Sequence, residues 1–76
     1  MDARALLAAA GGALFGPEHW KSELARDLGI SRRSLVRWHQ TGDIPEGAWR
    51  DIEALLADRQ LTLADIRDRI AQRSRL

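Results

Sequence analysis

The sequence contains no cysteine and no tyrosine, and only one valine, one phenylalanine and two prolines. Without cysteine there are no disulfides and no thiolate metal sites. Without β-branched and aromatic residues in alternating runs, strands have no signal. The longest uncharged stretch, Ala5 to Pro17, holds Gly11, Gly12 and Gly16 and falls short of the roughly 20 apolar residues a membrane span needs. No basic region followed by an apolar core and a cleavage site opens the chain, so a secretory signal is not expected. A soluble, cytoplasmic protein is the expectation. Enzyme chemistry also lacks its parts: no nucleophile beside a base, no phosphate-cradling glycine loop, no paired carboxylates in an apolar setting. His19 and His39, twenty residues apart without cysteine, make no zinc site, and no metal or cofactor is expected.

What the sequence does contain is helix formers: Ala, Leu, Arg, Asp and Glu. Of 76 residues, 45% are hydrophobic and 30% charged, the composition of one small folded domain. A domain of this size buries only about 60% of its unfolded surface, so a partner subunit would add stability. The fold class expected is all-α, with five helices. The first runs from Asp2 to Phe15, with Ala3, Leu6, Leu7, Ala10 and Leu14 at helical spacing. Gly11 and Gly12 interrupt it at about 1 kcal/mol each relative to Ala. Gly16-Pro17 separates it from a second helix, Pro17 to Leu28, carrying Trp20, Leu24, Ala25 and Leu28 on one face. Gly29 ends that helix, and Ser31 caps a third, Arg32 to Gln40, closed by Thr41-Gly42. A fourth runs from Pro45 to about Asp58 on Trp49, Ile52, Leu55 and Leu56. Thr62, with Asp65 as an approximate capping box, opens a fifth reaching residue 75. Its stripe of Leu63, Ile66 and Ile70 is narrow.

The informative stretch is Lys21 to Gln40, KSELARDLGISRRSLVRWHQ. Two short helices meet at a turn of about three residues that contains glycine, which is a helix-turn-helix in physical terms. Ala25 must be small where the third helix crosses, and Gly29 must reverse the chain. Leu24, Leu28, Ile30, Leu35 and Trp38 form the small core between the two helices. On the third helix, at about 100° per residue, Ser34, Leu35 and Trp38 point one way. Arg32, Arg33, Val36, Arg37 and Gln40 point the other. Such a face is either solvated, with ion pairs of little worth, or turned to the major groove, where arginine bonds guanine O6 and N7 and valine packs on a thymine methyl. Trp20, Trp38 and Trp49 are expected in the core rather than stacked on bases, with His39 half-buried beside Leu35 and His19 exposed.

From Leu24 to Trp38 the pattern L-A-x-x-L-G-I-S-x-x-x-L-x-x-W resembles the Cro and phage-repressor (Xre) type of helix-turn-helix. The match is tight over Lys21 to Gln40 and looser in the flanking helices. The resemblance implies a small five-helix lambda-repressor-like domain spanning residues 1–76 and a sequence-specific regulator of transcription, more often a repressor, that binds double-stranded DNA as a homodimer. Its localisation would be nucleoid-associated. The first, second and sixth residues of the third helix would reach base edges: Arg32, Arg33 and Arg37. Lys21 would clamp a phosphate, with Gln40 and the backbone at Thr41 and Gly42 adding phosphate contacts. The loop Thr41 to Gly47 departs from the family's pattern, because it carries Asp43 and Glu46 and no Lys or Arg.

Charge is polarised beneath a net +1. Trp20 to Gln40 carries +3, Thr41 to Asp65 carries −4, and Ile66 to Leu76 carries +3. The basic recognition segment would face phosphate and the acidic fourth helix away from it. In the C-terminal segment, Arg67, Arg69, Arg73 and Arg75 either pair with Asp65 and Asp68 or reach phosphate, and Leu63, Ile66 and Ile70 are expected to serve dimerisation. Two rival functions stand beside this one. The run R-R-S-L-V-R-W-H-Q-T-G-D-I-P is also similar to the start of excisionase-like and mercury-regulator-like domains, which continue with a β-hairpin wing. The acidic and arginine-rich ends would equally suit a helical protein-interaction module, such as an antitoxin half.

Overall fold

The computed structural model of the chain describes residues 1–74. Four helices follow one another: α1 (Ala3–Phe15), α2 (Trp20–Leu28), α3 (Arg32–Thr41) and α4 (Glu46–Ser74). Among the described residues there is no strand. The all-α class therefore holds, but the expected fourth and fifth helices are one. Nothing between Asp58 and Thr62 breaks a helix: Arg59, Gln60 and Leu61 all favour it. The Thr62 hydroxyl donates back to the Asp58 carbonyl at 3.1 Å within a continuous helix, instead of capping a new one. Helix α4 also continues where a β-hairpin wing would follow α3. Residue 75, the end of the expected fifth helix and the place of Arg75, lies outside the described residues.

Local signals explain the remaining boundaries. The Asp2 carboxylate accepts from the Ala5 amide at 2.8 Å, starting α1. The Ser31 hydroxyl accepts from the Ser34 amide at 3.1 Å, starting α3. Gly29 and Gly42 end α2 and α3 at φ of 70° and 80°, in the left-handed region that L side chains resist. Helix α2 begins at Trp20, after a turn over 17–19, three residues later than the proline suggested.

Helices α1, α2 and α3 pack mutually, and α4 lies across α1 and α2. Leu7, Leu14, Trp20, Leu24, Ala25, Leu35 and Ile52 make one buried cluster. Leu28, Ile30, Trp38 and Trp49 pack against it, half-buried. Leu24 and Leu35, both fully buried, lock α2 to α3, which is the small core the spacing predicted. The Trp20 ring fills the space over Gly11. It also meets His39 edge-on, with centroids 5.4 Å apart. Helix α4 is 29 residues long, about 43 Å at 1.5 Å per residue. Its C-terminal half projects past the body, so the radius of gyration is 15.0 Å against about 11 Å for a compact chain of this length.

Candidate functional site

The outer face of α3 is set by what its inner face buries. Leu35 is fully enclosed and Trp38 half-buried. Their spacing turns Arg32, Arg33, Arg37 and Gln40 outward, and all four are exposed. Val36 is half-buried between them. Arg33, Ser34, Val36, Arg37 and Gln40 line one shallow hollow. Helix α3 carries no acidic residue. The hollow therefore has an apolar floor at Val36 and a rim of two guanidinium groups and an amide.

Arg32 is placed differently from Arg33 and Arg37. Its Nε donates to the Ser22 hydroxyl at 3.0 Å, tying the start of α3 to the start of α2. It lines a second hollow with Lys21, Ser22 and His19. The Lys21 ammonium lies 5.7 Å from the centroid of the Trp20 ring, within cation–π range. Lys21 and Arg32 thus form a cationic pair at the start of α2, beside the hollow that holds Arg33 and Arg37.

At the other end of α3 the groups expected to meet phosphate are already engaged. The Thr41 hydroxyl donates to the Arg37 carbonyl at 3.0 Å and accepts from the Asp43 amide at 3.1 Å. The Gly42 amide donates to the Trp38 carbonyl at 2.8 Å, and the Ile44 amide to the Gly42 carbonyl at 3.2 Å. The loop holds itself together with the donors that Thr41 and Gly42 would have offered. Gln40, exposed on the hollow's rim, keeps its side chain on the α3 face.

Arg4 is a residue that the sequence reading missed. From the first turn of α1, its Nη1 donates to the Gln40 carbonyl at 3.3 Å, and its stem passes beside Gly42. A cation there suits the partial negative charge at the end of α3. The contact joins residues 36 apart, and no local pattern points to it.

Leu63, Ile66 and Ile70 are 59%, 48% and 58% exposed on the projecting half of α4. The fifth-helix ion pairs are partly as expected: Arg69 meets Asp65 at 3.1 Å, while Asp68 lies 3.9 Å from its neighbour Arg67. Among the described residues no group of three His, Asp or Glu could hold a metal ion. No described helix is long and apolar enough to cross a membrane. The chain matches no protein-family model, no curated protein and no solved structure.

Proposed function

We propose that the protein is a sequence-specific double-stranded DNA-binding regulator of transcription, a repressor, that acts as a homodimer with α3 in the major groove. The observation carrying this reading is the outer face of α3. A helix seated by Leu35 presents Arg33, Arg37 and Gln40 around Val36, with no acid to neutralise them. Arginine discriminates guanine by two donors at once, and a small apolar side chain between them suits a thymine methyl. Lys21 and Arg32, one hollow away, suit the flanking phosphates, which fix register without reading sequence. Arg32 moves in this reading from base contact to backbone contact, because Ser22 holds its guanidinium toward α2. Thr41 and Gly42 drop out as phosphate donors, which leaves that flank to a second subunit.

The test is selection of bound fragments from a random double-stranded library at about 150 mM salt, followed by sequencing. Two inverted half-sites about one helical turn apart are expected, roughly 34–36 Å centre to centre. No enrichment, together with no salt-dependent affinity for duplex DNA, would overturn the reading. Tight capture of a protein without DNA affinity would instead identify an interaction module. An excisionase-like role would appear as binding to scattered sites with DNA bending and no inverted repeat.

A further inference from the structure

The projecting half of α4 carries its own apolar stripe. Trp49 and Ile52 dock on the body, and the same seven-residue period continues through Leu56, Leu63, Ile66 and Ile70. Beyond Leu56, Ala64 alone among the described side chains is other than exposed. A helical overhang of this length is marginal in water unless its stripe is covered. Closer to the body, two apolar hollows run between α1 and α4 and share Leu56. The first is floored by Leu6, Ala10 and Trp49 and rimmed by Glu46 and Glu53. Leu6 is 47% exposed there.

We infer that α4 pairs antiparallel with α4 of a second copy of this chain, about a two-fold axis at Gln60. The argument is charge complementarity within one helix. Its first half, Glu46 to Asp58, has four acids and one arginine, and its second half, Arg59 to Ser74, has four arginines and two acids. Glu53 stands seven residues before Gln60 and Arg67 seven after it. Antiparallel pairing at Gln60 therefore places Glu53 of each copy opposite Arg67 of the other, twice over. Glu46, fourteen residues before Gln60, falls opposite position 74 and so one residue from Arg73. Among the described residues neither Glu46 nor Glu53 has a cationic partner within the chain, and Arg67 has only the loose contact with Asp68. The basic, apolar second half of one copy then fills the acid-rimmed apolar hollow of the other, with Ile66 and Ile70 reaching toward Leu56, Trp49 and Leu6. The contact is self-complementary and closes at two copies. A parallel pair would set Arg67, Arg69 and Arg73 against their own counterparts and leave the hollow open.

This deepens the homodimer of the proposed function and does not depend on DNA binding. The experiments contain no DNA, so either reading can fail alone. Sedimentation equilibrium of the full chain is expected to show a dimer at micromolar concentration that weakens as salt rises. Leu63→Glu, at an exposed position, is expected to give a monomer whose body stays folded, with helicity lost only from the uncovered end of α4 and Trp49 emission shifted by its exposure to water. Glu53→Arg and Arg67→Glu should each weaken the dimer about tenfold, and an equimolar mixture of the two should restore it as a heterodimer. Because the chain has no cysteine, a spin label on Gln72→Cys reports one distance: about 36 Å for the antiparallel pair, from 1.5 Å per residue, against roughly 20 Å for a parallel one. A monomer at about 100 µM, well above the micromolar range of weak specific complexes, would overturn the inference. So would the short label distance, a dimer that survives Leu63→Glu, or singly swapped variants that do not complement each other.

Discussion

The indole of Trp20 lies against the backbone of Gly11, so that a Cβ at Gly11 would stand 2.2 Å from Cε3 of the ring. The helix accepts a poor helix former at that point because the second helix enters over it. Gly12, one residue on, has nothing within 4 Å of a Cβ position and no such reason.

The two adjacent glycines should therefore respond oppositely to alanine. Gly11→Ala gains about 1 kcal/mol of helix propensity. It must also displace a rigid, buried ring, at about 1–3 kcal/mol and toward the upper end because the clash is with ring atoms. A lower urea midpoint is expected, with a red-shifted Trp20 emission. Gly12→Ala should raise the midpoint, through a stability gain of about 0.5–1 kcal/mol. Equal shifts for the two would contradict the packing.

Thr62 distinguishes a continuous α4 from two helices. Its hydroxyl bonds back to Asp58 inside the helix, so Thr62→Ala should leave stability unchanged or raise it by up to about 0.5 kcal/mol, with slightly greater helicity by circular dichroism. An N-cap serine or threonine replaced by alanine typically costs about 1 kcal/mol. Ser31→Ala, at a true cap, supplies that comparison in the same chain.

The α3 face and the start of α2 should separate in binding experiments. Arg33→Ala is expected to cost about 1–3 kcal/mol on the preferred site and to relax preference at one base pair. Lys21→Ala should weaken all sequences alike and reduce the salt slope by about 1. Both side chains lie at the surface, so thermal midpoints should barely move. Fluorescence anisotropy over a salt series on cognate and scrambled duplexes measures both, and identical profiles for the two variants would contradict the division of roles.

Gly42 closes α3 at φ of 80° and donates to the Trp38 carbonyl. Gly42→Ala keeps the amide but forces a side chain into the left-handed region, at about 1–2 kcal/mol. Arg4→Ala removes the other group that holds this end, the donor to Gln40. If Thr41 and Gly42 hold only structure, Gly42→Ala should lower the thermal midpoint with no change in affinity for duplex DNA at temperatures where it is folded. A weaker affinity there would return that loop to the phosphate contacts.

Much of the local architecture was legible in the sequence because its causes are local. Asp2 and Ser31 cap, Gly29 and Gly42 terminate, and the spacing of Leu24, Leu28, Leu35 and Trp38 sets which face each helix buries. The same spacing turns Arg33, Val36, Arg37 and Gln40 outward together. Thr62 misled because a hydroxyl that caps a helix start equally bonds back one turn within a helix, and only the surrounding backbone decides which.

The sequence by itself determined the helices of the first forty residues and the polarity of α3, since backbone propensity, caps and periodicity act over a few residues. The tertiary structure alone decided what depends on contacts across the chain. It put Trp20 on Gly11, Arg4 on the end of α3 and Arg32 on Ser22. It left the stripe of α4 standing clear of the body, because the core that α1, α2 and α3 offer takes in Ala48, Ile52 and, at its edge, Leu55, and Leu63 comes two turns later.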